Sequence, residues 1–495
     1  MNKKFNFLKV FLLLLICLLS FGCNEITNDD NNELPDGITE FTIFTINDFH
    51  GMLLESSSYA GISRIADYLI EEKEANPDNT LILSAGDMFQ GTAVSSMSRG
   101  RAVVDVMNHI GFDAMTLGNH EFDWGDEVIM AYRDGKEENG ELDCPYLGAN
   151  IIDKRTGEIA SWVEPYTVIE KAGFRIGVIG VIGDDQESDI LQTYMKNYEF
   201  TREINAISEY AEILRTKEKC EIVIVSAHND TSSYNRNLAK LSGDRRIDIV
   251  VNGHTHQYYE ESIDSYRNGY ADLQVIQTGC YGSYIGKVTI AIDNKTKMTV
   301  DSSAKNLRAT AYCKTNNEEI DDILTNYQDY IDLSNSKLGV SGVNLYQEQG
   351  GVWASNVLRD STNSDFGVCN KGGIRGNGFP IYSRSDITYG DIFEIMPFEN
   401  SICTVSLKGS DVIRLLGYGV FFSDNVDAVN STINGVKIDS SKTYKVATID
   451  FIYVKSNYPF VNGTDGKFTN ILFRDALVND VIENVKENGT FIPFN

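Results

Sequence analysis

Positive charge and paired cysteines are what this chain of 495 residues has little of. Its 43 lysines and arginines face 71 aspartates and glutamates, a formal net charge of −28. A binder of nucleic-acid backbone needs a positive footprint, so nucleic acid is not expected as a partner. The eight cysteines include no Cys-x-x-Cys pair, which excludes a zinc ribbon or a thiol redox motif. Beyond the N-terminus, Cys144, Cys220, Cys280, Cys313, Cys369 and Cys403 are scattered. Several lie in apolar stretches, as in Cys220-Glu221-Ile222-Val223, and read as small buried hydrophobes, with disulfide formation left open. No short-period repeat occurs, so solenoids and propellers are out. Histidine is scarce too, with six in the chain, which makes each position informative.

What is present fits a globular protein: 42% hydrophobic and 23% charged residues. The length exceeds one ordinary core, so two domains are expected. The N-terminus reads as a targeting segment. Lys3 and Lys4 precede an apolar run from Phe5 through Leu19, interrupted by Asn6 and Lys9, which is short for a membrane span and suits a signal peptide over residues 1–22. Gly22-Cys23 resembles a bacterial lipobox, in which the cysteine is lipidated and becomes the new N-terminus. The polar stretch that follows makes residues 23–38 a lipidated tether. The expectation is an exported protein held at the membrane of the cell envelope through Cys23.

From residue 41 short apolar strands alternate with helical patterns. Phe41–Ile46, Leu81–Ser84, Ala114–Leu117, Arg175–Ile182, Ile222–Ser226, Ile247–Val251 and Leu273–Gln277 are strand-like, and Val288–Ile292 would add one more. Ile62–Glu74, Ala102–Ile110 and Ile204–Lys217 carry a helical period. That alternation predicts an α/β layered domain. Residues 313–335 change character and predict a linker helix. Residues 336–495 have elements of their own, with helices near Gly351–Arg359 and Asp411–Leu416 and strands near Phe366–Cys369, Ser401–Leu407 and Tyr444–Ile449.

Five of the six histidines immediately follow a predicted strand. Asp48-Phe49-His50 follows the first, Gly86-Asp87 the second, and Gly118-Asn119-His120-Glu121 the third. His228 and Gly253-His254-Thr255-His256 follow two later ones. In open α/β sheets the strand C-terminal ends share one edge, where ligands bind. Singly each motif is weak, since Gly-Asn-His can be a turn and a lone Asp-x-His is often structural. In order, they deliver imidazole, carboxylate and amide oxygen to one rim, a donor set for Zn, Mn, Fe or Mg-type ions. His109 lies inside a helical pattern and reads as a helix residue without a chemical role.

Taken together, these motifs resemble the full signature of the calcineurin-like metallophosphoesterases. The longer string Leu117-Gly118-Asn119-His120-Glu121-Phe122-Asp123-x-Gly125 resembles the secreted 5'-nucleotidase branch. The resemblance implies a four-layer αββα metallophosphoesterase sandwich over residues 39–312, followed by a smaller α+β substrate-binding domain over 336–495. It also implies two divalent metal ions, Zn, Mn or similar. Asp48, His50, Asp87 and His256 would hold one; Asp87, Asn119, His228 and His254 would hold the other, with Asp87 shared. Such a pair clamps phosphoryl oxygens for in-line attack. His120, left without a metal, would face the phosphate as a cation, oriented by Asp123. One departure is Ser226-Ala227-His228-Asn229-Asp230, where the family usually has a glycine two residues after the histidine.

The C-terminal part adds Asn370-Lys371-Gly372-Gly373-Ile374-Arg375, in which glycines let a flat ligand approach and Arg375 offers a planar fork for an anion. Pro397-Phe398-Glu399-Asn400 and Tyr458-Pro459-Phe460-Val461-Asn462-Gly463-Thr464-Asp465-Gly466 follow. In that order they are similar to the nucleoside-binding domain of 5'-nucleotidases. Phe398 and Phe460 would sandwich the base, Asp465 would bind the ribose, and Asn370, Gly373, Arg375 and Asn400 would line the rest. Two departures stand out. Tyr346-Gln347-Glu348 stands where the family usually has an arginine, and the last motif is about one residue short, leaving Tyr458 as an alternative to Phe460. The expected activity is two-metal hydrolysis of nucleoside 5'-monophosphates in nucleotide scavenging. Alternatives are hydrolysis of 2',3'-cyclic nucleotides or nucleotide sugars on the same scaffold, and a non-catalytic surface binder.

Overall fold

Short strands that read as continuous apolar runs belong where both sheet faces are covered, and two such sheets form the first half of the molecule. The computed structural model describes residues 35–229, 232–264 and 269–494, so the expected signal segment, Cys23 and nearly all of the tether lie outside the described residues. The first sheet draws on β1 (Ile38–Ile46), β2 (Thr80–Ser84), β3 (Ala114–Thr116) and β4 (Tyr146–Leu147). The second draws on β5 (Tyr166–Lys171), β6 (Phe174–Ile182), β7 (Ile222–His228), β8 (Ile249–Asn252), β9 (Tyr258–Ile263) and β10 (Leu273–Thr278). Then β11 (Tyr284–Asp293) and β12 (Thr299–Arg308) return to the first. The orders are β12-β11-β1-β2-β3-β4 and β9-β10-β8-β7-β6-β5. Strands β1 to β4 run parallel, as do β6, β7, β8 and β10, and the remaining strands are antiparallel.

The facing sides of the sheets share one core, with Phe41, Ile43, Leu81 and Leu83 packed among Ile176, Val178, Ile224 and Val251. The outer face of the first sheet is covered by helices Gly61–Ala75 and Arg101–Ile110, and that of the second by helix Glu203–Thr216. This is the expected αββα layering. Helix Arg101–Ile110 shows how tightly local sequence sets the ends. It lies between Gly100 and Gly111, at φ +89° and +76°, a conformation that costs glycine little. His109, on this helix, places Nε2 3.2 Å from Glu319 Oε2 of a later helix.

The connecting region runs as two helices, Glu318–Thr325 and Gln328–Ser334, instead of one. The break falls at Asn326-Tyr327, where the Tyr327 hydroxyl donates to Asp105 Oδ2 at 2.5 Å and Ile320, Leu324 and Tyr327 sink into the first domain's core. The second domain has a five-stranded sheet from Phe366–Asn370, Ser401–Lys408, Val420–Phe422, Thr443–Ile449 and Thr464–Leu472. Helix Gln347–Thr362 lies so close to it that a Cβ on Gly367 would sit 1.9 Å from Ser355 O. A C-terminal helix, Phe473–Asn488, completes the packing through Phe473, Leu477 and Val481. All six cysteines among the described residues are free, five of them buried and Cys280 partly so. No helix among the described residues is long and apolar enough to cross a membrane.

Candidate metal centre and interdomain cavity

Parallel strands aim their C-terminal ends at one edge, and every metal-ligand candidate sits there. Asp48 and His50 follow β1, Asp87 follows β2, and Asn119 and His120 follow β3. His228 ends β7, and His254 and His256 follow β8. The turns are strained. Asp48, His50, Asp87, His254 and His256 take φ of +49°, +50°, +54°, +81° and +58°, a region side chains seldom occupy. Strain of this kind gathers where function demands a particular aim.

Two groups of donors result: Asp48, His50 and His256, and Asp87, His228 and His254, each with ligand atoms within 4.8 Å of one another. The carboxylate of Asp87 stands between them, with Oδ2 3.1 Å from His228 Nε2 and 4.0 Å from His50 Nε2. Asn119 Oδ1 lies 3.2 Å from His228 Nε2 and 3.1 Å from His254 Nδ1. The tautomers suit ligation. His50 Nδ1 donates to Gln90 O at 2.8 Å and His228 Nδ1 donates to Ala85 O at 2.7 Å, which aims each Nε2 inward. His50 Nε2 then meets His256 Nε2 at 3.0 Å. Burial pushes His254 down to about 3 and His256 to about 4, so both are neutral donors at neutral pH. Burial also raises Asp48 to about 7, a carboxylate that a cation would restore to its charged form. Clustered imidazoles and two sequestered carboxylates fit two divalent cations, which Asp87, standing between the groups, would be placed to share.

The loops carrying these side chains are bound to each other. Glu121, 1% exposed, accepts from the backbone N–H of Gly118, Met88 and Asp87 at 2.7, 2.8 and 2.9 Å. The sequence motif contains Glu121, but its part in holding the Asp87 loop is visible only here. Close approach also dictates glycine: a Cβ on Gly118 would sit 2.2 Å from Asp87 Oδ1 and 2.8 Å from His228 Cε1. Gly118→Ala is therefore expected to weaken metal binding by roughly 10-fold or more. Titrating Mn back into chelator-stripped protein and following the melting temperature would check this; an unchanged half-point would show that the loops yield instead.

Beside the two groups, His120 Nδ1 donates to Asp123 Oδ2 at 2.7 Å. Burial opposes a charge on this imidazole, but Asp123 and Asp87 outweigh it and hold its pKa above the usual value. Arg375, from the second domain, donates from its guanidinium to His120 Nε2 at 2.6 Å. In this arrangement the imidazole accepts there and is neutral, so the two influences oppose one another until an anion separates the pair. Arg375 also lies 5.2 Å over the Phe398 ring, which stacks on His120 at 5.8 Å.

A cavity of about 240 Å³ opens at this junction. Asp87, Asn119, His120, His254 and His256 line it from one domain, and Asn370, Gly373, Arg375, Phe398 and Asn400 from the other. Two expected residues do not reach it. Phe460 is 2% exposed, packed in the second domain's core and stacked on Tyr458 at 5.9 Å. The shortened motif forms a tight turn over Pro459–Asn462 that draws the ring inward. Asp465 lies on the exposed edge strand at φ +55°, where its carboxylate accepts from Thr464 Oγ1 at 3.3 Å. The second aromatic wall is Phe451, joined by Trp124, Leu191 and Tyr194. Asp450 fixes that wall by accepting from Phe451 N and from Asn400 Nδ2, both at 2.7 Å. Where an arginine is expected, Gln347 donates instead to Ile374 O at 2.8 Å and braces the Arg375 loop.

Residues 41–258 match the calcineurin-like phosphoesterase family, and residues 318–419 match the 5'-nucleotidase C-terminal domain. The chain is 29% identical over 414 residues to "Endonuclease YhcR" of Bacillus subtilis, covering 77% of this chain but only 33% of that longer protein. It is 25% identical to a 5'-nucleotidase of Vibrio cholerae, over 90% of each chain. In fold it is similar to the 5'-nucleotidase precursor of Thermus thermophilus, with a TM-score of 0.75, 21% identity, and 90% of this chain and 96% of that one covered. With the motifs, the strand-end donors and both matches in agreement, residues 41–258 form a calcineurin-like phosphoesterase domain and residues 318–419 lie in a 5'-nucleotidase C-terminal domain.

Proposed function

We propose that this chain is a metal-dependent phosphoric ester hydrolase that converts nucleoside 5'-monophosphates to nucleoside and phosphate in nucleotide scavenging. The observation carrying this reading is a single cavity that joins the two donor groups of one domain to aromatic and amide side chains of the other. A phosphorylated ligand with a flat apolar end fits that division. The site, not the scaffold, has to carry the choice of substrate.

Asp48, His50, Asp87 and His256, and Asp87, Asn119, His228 and His254, are the residues that would hold the two ions. When bound, such ions supply Lewis-acid polarisation of the phosphoryl group and a nucleophile at neutral pH. Arg375 binds the phosphate and offsets its charge, which an acidic chain needs. An anion that draws Arg375 from His120 Nε2 frees that nitrogen to take up a proton, with Asp123 holding Nδ1. His120 then donates the proton to the leaving oxygen. Phe398 and Phe451 exclude water around the base and offer it ring faces, while Asn370 and Asn400 supply polar contacts. The 5'-nucleotidase of Vibrio cholerae, matched over 90% of each chain, supports the same reading.

A second reading, hydrolysis of 2',3'-cyclic nucleotides or nucleotide sugars, is favoured by Phe460 and Asp465 standing outside the cavity. A panel of AMP, UMP, ATP, a 2',3'-cyclic nucleotide and UDP-glucose separates the two, run with chelator-stripped and Mn- or Zn-restored protein. The expected result is phosphate release from AMP and UMP that vanishes on stripping and returns with metal. Strong cyclic-ester cleavage beside a flat AMP signal would replace the first reading with the second. Export to the cell envelope with a lipid at Cys23 belongs to this proposal, and a relative named "Cell wall protein Lmo0130" of Listeria monocytogenes is consistent with it.

A further inference from the structure

Gln90 is a buried amide without a protein partner at the wall of the reaction cavity. The residue is 1% exposed, and neither Nε2 nor Oε1 has a hydrogen-bond partner among the described residues. Burying an unpaired amide is costly, and native structures rarely tolerate it without a reason. Local rearrangement offers no easy remedy, because the backbone around Gln90 is pinned on both sides. Its carbonyl accepts from His50 Nδ1 at 2.8 Å, and Gly91 N donates to Ser96 Oγ at 3.3 Å. Just before it, Glu121 takes the N–H of Met88 and Phe89 at 2.8 and 3.3 Å. The loop is further zipped to that of His50 by Gly51 N donating to Met88 O at 2.9 Å and Thr92 N donating to His50 O at 3.0 Å. The backbone that carries the amide is therefore held in place, and Gln90 lines the same cavity as Asp87, His120, His256 and Arg375.

We propose that Gln90 is a substrate-contacting residue, donating from Nε2 to a phosphoryl oxygen at the metal end of the cavity. The inference rests on the phosphoester reading above but not on the nucleoside. The Gln90 backbone carbonyl holds the His50 ring and the residue follows Asp87 by three residues, a place among the metal-ligand candidates that suits the tetrahedral oxyanion. A neutral donor suits this place, since it adds a hydrogen bond without competing for the cations.

Inorganic phosphate is the probe, measured as a competitive inhibitor of the metal-loaded, full-length protein. Gln90→Leu keeps the bulk and removes both unpaired polar atoms. Phosphate inhibition is expected to weaken by roughly 10-fold or more, the size of a hydrogen bond to a charged group. The phosphate-free protein should melt about 2–4 °C higher, because a buried unpaired amide has been replaced by an apolar group. Gln90→Glu, of equal size, should weaken phosphate further by facing it with a carboxylate. A phosphate inhibition constant within twofold of the parent in either variant would overturn the proposal. So would a fall in melting temperature for Gln90→Leu with inhibition unchanged, which marks a structural side chain. Should the parent bind phosphate yet leave every nucleoside monophosphate intact, the substrate reading fails while the Gln90 comparison still decides its own question.

Discussion

Asp87→Ala should reduce turnover by on the order of 10³-fold or more, because it removes the carboxylate that stands between the two donor groups and that we propose both ions share. Oδ2 lies 3.1 Å from His228 Nε2 and 4.0 Å from His50 Nε2, and Oδ1 accepts from His120 N at 2.9 Å. Burial opposes the charge on Asp87, but His228, His120 and His50 outweigh it and hold its pKa well below the carboxylate range. The same attraction lifts His228 to about 9 against its own burial. Removing the carboxylate would thus strip the proposed bridging ligand and unbalance the imidazoles around it. Asp87→Asn is the sharper variant, since its carbonyl still accepts from His120 N while the negative charge is gone. Metal content of the purified variants, measured with kcat, tests the claim. Two tightly held ions and turnover within tenfold of the parent in Asp87→Asn would defeat it.

His120→Ala is expected to lower kcat by roughly 10²–10⁴-fold without changing metal content if, as proposed, this imidazole serves as general acid and not as a ligand. Its Nδ1 is committed to Asp123 at 2.7 Å, so only Nε2 can serve the substrate. The loss should depend on the leaving group. A nucleoside alkoxide needs the proton, whereas p-nitrophenolate, the anion of a far stronger acid, departs without it. The kcat ratio of variant to parent should therefore be much smaller for AMP than for p-nitrophenyl phosphate. Equal losses on both substrates would move His120 from proton donor to electrostatic support.

Much of this site could be read before folding because each donor is tied to a strand end. Apolar runs such as Leu81-Ile82-Leu83 announce β2, and Asp87 follows within a few residues, so local order in the chain becomes local order in space. The same holds for His228, at the end of β7, and for His254 and His256 after β8. Layering was legible for a related reason: parallel strands buried on both faces demand helices outside.

The second domain was harder. A one-residue shortening decides whether an aromatic faces the cavity or the core, and chain order alone does not say which way a tight turn sends its ring. Phe460 went inward, and Phe451, with no motif around it, took the wall. The break at Asn326-Tyr327 and the lone amide of Gln90 were equally hidden, because each depends on partners far away in the chain or on their lack.

Chain order by itself gathers the candidate donors: Asp48, His50, Asp87, Asn119, His228, His254 and His256 all stand at or just beyond strand ends, while their division between two ions and the separate part of His120 with Asp123 are implied by the family resemblance. Short-range order is enough for the gathering, because each candidate rides on a strand terminus and parallel strands share an edge. Only the tertiary structure decided how the other domain meets them. Arg375 reaches His120 across 255 positions of chain, and Asn400, just before one strand, meets Asp450 and Phe451, in the short helix after another, to form one wall. Contacts between domains depend on packing and on the exact length of turns, quantities that are properties of the whole fold and of no single stretch of residues.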